Sequence, residues 1–409
     1  MEGPSGGTEA TAEDAAVARL ITRLSADYVL SAFQALINTF GDIRSGLLWA
    51  AISTANVAHI DTRSEEARRA AAADGFVQDG ARRPVSVANL AAATGVPIGT
   101  TQRIVRRLID AGDCVEGADG LIVPQALLER PQVKRMATAN MAYVAAFIRK
   151  LLARGLIDQA PPTSLAGHPA VAKDAMASVV MRHSLEFGLR ALPLLVHAYG
   201  EIQLGIVAHA IVTTNTQHLD APMGEGWRYA GVDQPPPDSA RRPVSVSELA
   251  RTLGLPYETL RRRVHRLIEG GVCVRVAGGV VVPTAVLERP DAGVAAVANV
   301  RYVRKFADIL RGIGFDPYEG VVADGQTLES SQSPDEGIAV SITGSLRQRI
   351  EDYRERAKRA EVAALESEAQ REAMLGLAAR WLDLAREAEM LAKASDQLDG
   401  AGNALGRPV

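Results

Sequence analysis

The chain repeats itself at a fixed offset of 159 residues, and this repeat limits the folds that it can adopt. Residues 81–131 and 240–290 are identical at 29 of 51 positions and align without a gap. The match extends to both sides, from Gly41 and Gly200 at one end to Phe147 and Phe306 at the other. Such self-similarity indicates a duplicated structural unit, so the two copies are expected to fold alike.

Each copy reads as a short helix, a tight turn, a second helix and a β-hairpin. In the first copy, Ser86 is a favourable N-cap for a helix over residues 87–94, and Gly112 ends a second helix over residues 98–111. A hairpin over residues 114–123 follows. In the second copy, Gly254 marks the turn and the hairpin covers residues 272–282. Apolar spacing predicts the buried face of each second helix: Ile98, Thr101, Val105, Leu108 and Ile109, and then Tyr257, Leu260, Val264, Leu267 and Ile268.

This order of elements predicts a mainly α fold with small β-wings, built from two tandem winged helix-turn-helix domains and a C-terminal helical tail. The tail forms either a hairpin or a coiled coil. The predicted divisions are a disordered N-terminus (1–15), the first repeat (16–155), a linker (156–180), the second repeat (181–315), a flexible linker (316–343), the helical tail (344–398) and a disordered C-terminus (399–409).

Composition excludes several classes of protein. With 409 residues, 47% of them hydrophobic, the chain has room for two or three globular domains. Its net charge of −3 means that any nucleic-acid surface is local. The charge-free runs at residues 45–60 and 202–219 contain Asn, Thr and His, which makes them poor membrane spans. The N-terminus lacks the basic start of a signal peptide. We therefore expect a cytoplasmic protein without membrane association.

Each second helix carries polar and basic residues on the face opposite its apolar stripe. Arginine suits such a face because its guanidinium pairs with guanine in the major groove and neutralises phosphate. Residues 240–290 hold nine arginines against four acidic residues, and residues 81–131 hold six against five, so the second copy should contribute more electrostatic affinity. The predicted DNA-binding residues are Thr100, Gln102, Arg103, Arg106, Arg107, Thr259, Arg261, Arg262, His265 and Arg266.

The stretch from Ser245 to Arg262 resembles the helix-turn-helix of IclR-like and MarR-like bacterial transcriptional regulators. The shared pattern is a Ser or Thr cap, a Leu-Ala pair, a Gly-Leu/Val-Pro turn and a Thr that opens the second helix. It covers about 45 residues of each copy. The resemblance implies a recognition helix with Thr259, Arg261 and Arg262, or Thr100, Gln102 and Arg103, towards DNA. Because MarR-like chains carry one such module, two in one chain predict a pseudo-dimer that reads an asymmetric operator.

Two other matched sets have a plain interpretation and a functional one. One set is Asn56, His59 and Asp61, which recurs as Asn215, His218 and Asp220. These residues either end a helix and hydrogen-bond the following loop, or hold a metal at a pseudo-twofold axis. Cys114 recurs as Cys273, either as a small apolar residue of the hairpin or as a thiol switch. In each case the sequence favours the plain interpretation. His209 has no counterpart in the first copy and reads as an ordinary helix residue.

The sequence favours a transcriptional regulator that binds double-stranded DNA. The alternative is an interaction or architectural protein whose winged helices and tail bind protein partners. No Gly-rich phosphate loop, zinc-type spacing or nucleophile elbow occurs, so we expect neither an enzyme nor a cofactor. A small-molecule effector, and homo-oligomerisation through the helical regions or the tail, stay open as partners.

Overall fold

The computed structural model describes residues 12–60, 77–157, 173–220 and 226–319, with Glu351, Arg354 and Lys358 of the tail. Residues 17–318 form one compact unit that contains both copies. Residues 1–16 and 319–409 form a second unit, and the predicted tail helices and both chain ends lie almost entirely outside the described residues. The described part is mainly helical, with two small antiparallel sheets. This agrees with a mainly α fold that carries small hairpins.

The first copy contains six α-helices and one hairpin among its described residues. In chain order these are α1 (Ala12–Phe40), α2 (Ile43–Ala55), α3 (Val87–Thr94), α4 (Ile98–Asp110), β1 (Val115–Gly117), β2 (Gly120–Ile122), α5 (Gln125–Leu128) and α6 (Pro131–Leu152). The two strands pair antiparallel, with Glu116 opposite Leu121. A single bridge between Val85 and Leu121 adds a third backbone segment to the hairpin.

The second copy repeats this order element by element. It contains α7 (Lys173–Tyr199), α8 (Ile202–Thr216), α9 (Val246–Leu253), α10 (Tyr257–Glu269), β3 (Val274–Val276), β4 (Gly279–Val281), α11 (Thr284–Leu287) and α12 (Pro290–Gly312). Short 3-10 turns precede the hairpin modules at Asp79–Ala81 and Asp238–Ala240. Arg275 stands opposite Val280 in the strand pair, at the same register as in the first copy.

The long helices α1 and α7 each pack against the last helix of the other copy. Ser184 on α7 donates a hydrogen bond to Oδ1 of Asn140 on α6, at 2.9 Å. At the matched positions, Asn299 on α12 donates to Oγ of Ser25 on α1, at 3.0 Å. Near these pairs, the ring of Tyr28 stacks on Phe147 with 5.3 Å between the ring centroids. The contacts are reciprocal, so the two copies interlock within one chain.

A matched pair of arginines strengthens the interlock. Arg23 on α1 reaches across to Asp220 of the second copy, and the ion pair is 3.0 Å long with both side chains largely buried. At the equivalent place on α7, Arg182 donates to the backbone oxygens of Val57 and Ile60 in the first copy, at 3.4 and 3.2 Å. Because a buried cation needs several partners, each arginine fixes the loop of the opposite copy that supplies its acceptors.

Several predicted boundaries were wrong by a few residues. Helix α1 begins at Ala12, so residues 12–15 are helical although the sequence predicted disorder there. Helix α7 begins at Lys173, inside the predicted linker over residues 156–180. Helix α2 ends at Ala55, inside the charge-free run over residues 45–60, because the chain then turns to hydrogen-bond the segment that leads into the hairpin. These ends depend on tertiary contacts, which local sequence does not report.

Candidate nucleic-acid interface

The two candidate helices, α4 and α10, are presented by the same local construction. In the second copy, Oγ of Ser245 accepts a hydrogen bond from the backbone N–H of Glu248 at 3.1 Å and caps α9. Gly254 ends α9 in the left-handed region with φ of 60°. Pro256 then begins α10 without a side-chain cap. The first copy repeats this construction from Ser86 onwards. Each copy therefore presents a capped short helix, a left-handed turn and a second helix that begins after a proline.

The face of α10 that was predicted to reach DNA points to solvent. Its opposite face is buried at Leu260, Val264 and Leu267. The candidate side chains are Arg261, Arg262, His265 and Arg266, which are exposed, and Thr259, which is half-buried. One helix thus divides cleanly into a core face and a basic face.

The face of α4 has the same division. Thr101, Val105 and Leu108 are buried, and the Thr101 hydroxyl donates to backbone oxygens of the preceding turn at 3.2 and 3.3 Å. The candidate residues Gln102, Arg103, Arg106 and Arg107 are exposed, and Thr100 is half-buried. The structure therefore gathers each set of five predicted residues on one outward helix face.

The first residue of each predicted apolar stripe was assigned wrongly. Ile98 is 52% exposed and Tyr257 is 48% exposed, although both were predicted to face the core. Each is the first residue of its helix, directly after a proline, and lies beyond the edge of the core that the later stripe residues reach. The spacing gives the correct angle around the helix but not the point along the helix axis at which the core ends.

Acidic residues at the N-caps of α2 and α8 hold one arginine in each copy. The ion pair between Arg107 and Asp42 measures 3.1 Å, and that between Arg266 and Glu201 measures 2.8 Å. The hydrogen bond from Arg266 lowers the pKa of Glu201. The sequence interpretation missed these two acids, although Asp42 and Glu201 also stand 159 residues apart. Being exposed pairs, they contribute little stability but orient the arginines.

The remaining basic residues differ in how they are neutralised. Arg261 pairs with Glu258 at 3.0 Å, and His265 lies 3.2 Å from Glu269. Within the described part of the chain, Arg262, Arg103 and Arg106 have no ion-pair partner: the first stands on α10 and the other two on α4. Among the candidate residues, α4 therefore presents two unpaired cations and α10 presents one. Outside these helices, the larger charge of the second copy comes from the exposed Arg251 on α9 and Arg275 on β3, which correspond to Ala92 and Glu116.

One further difference separates the two helices. Ile104 on α4 is buried, but its counterpart on α10 is Arg263, which is half-buried. Burial lowers the pKa of Arg263, and the positive charge of Arg44 in the first copy lowers it further. Helix α10 is thus in electrostatic contact with the opposite copy as well as its own. Comparing the sequences of the two copies could have shown that Arg263 replaces Ile104, but not that Arg44 lies near Arg263.

The matched asparagines serve the hairpins. Asn56 is fully buried, donates to the backbone oxygens of Arg83 and Leu121 at 2.8 and 3.0 Å, and accepts from the N–H of Val123 at 2.9 Å. Asn215 makes the same three bonds in the second copy. This confirms the interpretation as hydrogen bonding to the chain that follows.

The metal interpretation of the same set finds no support among the described residues, where no three His, Cys, Asp or Glu side chains cluster to hold an ion. His59 is exposed, and Asp61 lies outside the described residues. Asp220 is the partner of Arg23.

Both cysteines are buried free thiols, and burial raises the pKa of Cys114 to about 12 and that of Cys273 to about 11. This favours a packing role over a thiol switch.

No protein-family model, curated protein or solved structure matches this chain. Within the described ranges, no helix combines the length and apolar character that crossing a membrane requires.

Proposed function

We propose that the protein is a DNA-binding transcriptional regulator, with two winged helix-turn-helix modules in one chain acting as a pseudo-dimer. The observation that carries the proposal is the repeated division of α4 and α10 into a buried apolar face and an exposed basic face, each after a capped helix and before a hairpin. In this arrangement the second helix enters the major groove and the hairpin lies beside it. A cytoplasmic location suits this function.

The unpaired arginines are the first candidates for base contact. Arg262 and Arg103 occupy matched positions about one turn beyond the threonines near the helix start, in the part of the helix where side chains of this motif approach base edges. Arg107 and Arg266, held by their acidic neighbours, suit phosphate contacts, since an exposed ion pair exchanges for a phosphate at small cost. The half-buried threonines Thr100 and Thr259 belong to the same edge of the module, one turn nearer the helix start.

The interlocked copies support the pseudo-dimer because reciprocal contacts hold both modules in one compact unit. The two recognition faces differ: Gln102 corresponds to Arg261, and Arg106 to His265. Unequal side chains read unequal half-sites, so the operator is asymmetric, with half-sites about one helical turn of DNA (~34 Å) apart. If footprinting showed that one chain binds a perfectly palindromic operator, the asymmetric-operator part of the proposal would be wrong.

The decisive experiment selects bound sequences from random DNA and then measures the affinity of three variants on the selected site. Arg262→Ala and Arg103→Ala should each weaken specific binding by about 1–3 kcal/mol if the side chain reads a base. Arg301→Ala removes the same charge from an exposed position of α12 and serves as the matched control, with little expected effect. The dependence of log affinity on log salt should be steep for all four proteins.

A second candidate function is a protein-interaction or architectural role. The observation that favours it is the exposure of apolar side chains on the same elements: Ile98 and Tyr257 at the helix starts, and Val115, Val274 and Val276 on the hairpins. Such residues are common at protein interfaces. Absence of DNA binding at low salt, together with a stable complex between this chain and a protein, would favour this role over the first.

A further inference from the structure

A cavity of about 210 Å³ lies where α1 of the first copy meets α8, α11 and α12 of the second. Its apolar wall includes Ala26 and Val29 on α1 and Ala295 on α12. Its polar wall includes Arg19, Thr22 and His209. Pockets that bind small molecules have this composition, an apolar lining with a few convergent polar groups.

The matched place in the first copy is nearly filled. There the cavity is about 30 Å³, and larger side chains occupy the positions of the small ones. Met181 and Leu185 stand where α1 has Thr22 and Ala26, and Met136 stands where α12 has Ala295. These three replacements remove side-chain volume from the second copy's site, although Val29 and His209 there are larger than Gly188 and Ala50. The fold itself does not require the opening.

The open site also gains a buried cation. Arg19, at 8% exposure, replaces Ser178 of the other site. It donates to the backbone oxygens of Val232 and Leu287, both at 2.6 Å. Within the described residues no carboxylate lies within ion-pair distance of Arg19, although Asp233 and Glu288 attract it from further away. A buried guanidinium whose hydrogen-bond acceptors are neutral carbonyls can take an anion from the adjoining space as a closer ion-pair partner than Asp233 or Glu288.

The neighbouring charges do not supply that anion. Arg23 already pairs with Asp220, and the buried Arg241 lies 3.5 Å from Asp238. Burial, offset in part by Asp238, together with the positive charges of Arg19 and Arg23, lowers the pKa of Arg241 to about 10. At the rim of the cavity, Arg289 and Asp291 carry opposite charges. The carboxylates of Asp220 and Asp238 are therefore engaged by other arginines, and among the described residues none occupies the ion-pair position beside Arg19.

His209 gives the site a second polar group that the other copy lacks, since its counterpart is Ala50. Burial lowers its pKa to about 4, with a small opposing effect of Asp27, so the imidazole is neutral near pH 7. Among the described residues its ring has no hydrogen-bond partner, so it is free to donate or accept towards a guest.

We propose that this cavity binds one small organic carboxylate per chain, with the carboxylate on Arg19, a polar contact from His209, and the apolar body against Ala26, Val29 and Ala295. A cavity of about 150 Å³ binds benzene, so this one accommodates roughly eight to ten non-hydrogen atoms. The guanidinium binds the carboxylate through charge-assisted hydrogen bonds. The site is a property of the interlocked helices and does not depend on whether the modules bind DNA.

Titration calorimetry on the full chain, without DNA, tests the proposal. The probes are benzoate, phenylacetate and hexanoate, each paired with its neutral amide. At least one carboxylate should bind with a stoichiometry of one per chain. The affinity of its amide should be lower by a factor of about ten or more, because a hydrogen bond to a charged group is lost. Binding of none of the three carboxylates at millimolar concentration, or equal binding of acid and amide, would overturn it.

Two variants copy the closed site into the open one. Ala295→Met should abolish binding by filling the cavity, and Arg19→Ser should weaken it about tenfold or more. Met136→Leu, a volume-conserving change at the matched position of the first copy, is the control and should bind like the unaltered chain. Circular dichroism establishes that each variant is folded. If Arg19→Ser fails to fold, Ala295→Met decides the matter, since full binding by that variant would place the ligand elsewhere.

Discussion

Replacing Asn215 with alanine should separate the second hairpin from the helix behind it. The Asn215 side chain donates to the backbone oxygens of Arg242 and Val280, at 2.7 and 3.2 Å, and accepts from the N–H of Val282, at 3.1 Å. Asn215 and Val282 are both fully buried. In the variant, the buried backbone N–H of Val282 therefore has neither a protein acceptor nor water to bind.

The expected loss follows from these three bonds. The oxygen of Val280 keeps its bond from the N–H of Val244, at 3.2 Å, so its loss is small. Arg242 is exposed, which lets water replace the bond to its oxygen. The orphaned N–H of Val282 costs about 1–3 kcal/mol, and the other bonds contribute about 1 kcal/mol together. We expect Asn215→Ala to lower the free energy of unfolding by about 3 kcal/mol.

Urea denaturation followed by circular dichroism measures the change. The twin variant Asn56→Ala should lose a similar amount, because the first copy has the same three bonds. Thr214→Ala is the control, since its half-buried hydroxyl bonds only the helix oxygen of Ala210 and its removal should change stability by less than about 0.5 kcal/mol. A loss below about 1 kcal/mol in both asparagine variants would refute the reasoning.

Three other outcomes are expected. Burial, aided by Arg182, lowers the pKa of His183 to about 4 from 6.5, so proton binding to this residue in the unfolded chain should lower stability by about 2 kcal/mol between pH 7 and pH 5. Urea titrations of His183→Gln should lose that part of the fall and keep the part due to His209, whose pKa is also lowered to about 4. A thiol reagent should label neither Cys114 nor Cys273 until denaturant is added, and labelling in native buffer would contradict their burial. Gly279→Ala sets a Cβ 2.1 Å from a backbone oxygen and should cost about 2 kcal/mol or more, unlike Gly188→Ala in open space, as thermal melts can compare.

The helices of the small modules were predictable because their ends are marked in the sequence. Helix α3 runs from Val87 to Thr94, as Ser86 and Gly95 predict, since a side-chain cap and a left-handed glycine fix both ends locally. The exposed basic faces followed from the same periodicity. Exposure of Ile98 did not, because the edge of a core depends on the neighbouring elements.

The interlock between copies could not be predicted from the sequence. Matched apolar stripes on α1 and α7 fit their own copy or the opposite copy equally well, and periodicity does not distinguish the two. Ser25 and Asn299 form a hydrogen bond in the structure, yet they are 274 residues apart. Their role becomes visible only beside the reciprocal pair, Ser184 and Asn140. The cavity near Arg19 was missed for the same reason.

A position-by-position comparison of the two copies distinguishes residues that support the shared fold from residues at the candidate binding sites. The positions that hold the frame match in both copies, as with Asn56 and Asn215 at the hairpins. Three positions that differ lie on an exposed basic helix face or at the cavity. Their pairs are Gln102 and Arg261, Ala50 and His209, and Ser178 and Arg19. A symmetric dimer of one copy would present two equal faces and two equal cavities. Joining unequal copies in one chain allows a single open cavity beside two different basic helix faces, so the proposed binding of one ligand per chain and the proposed asymmetric operator would have the same origin.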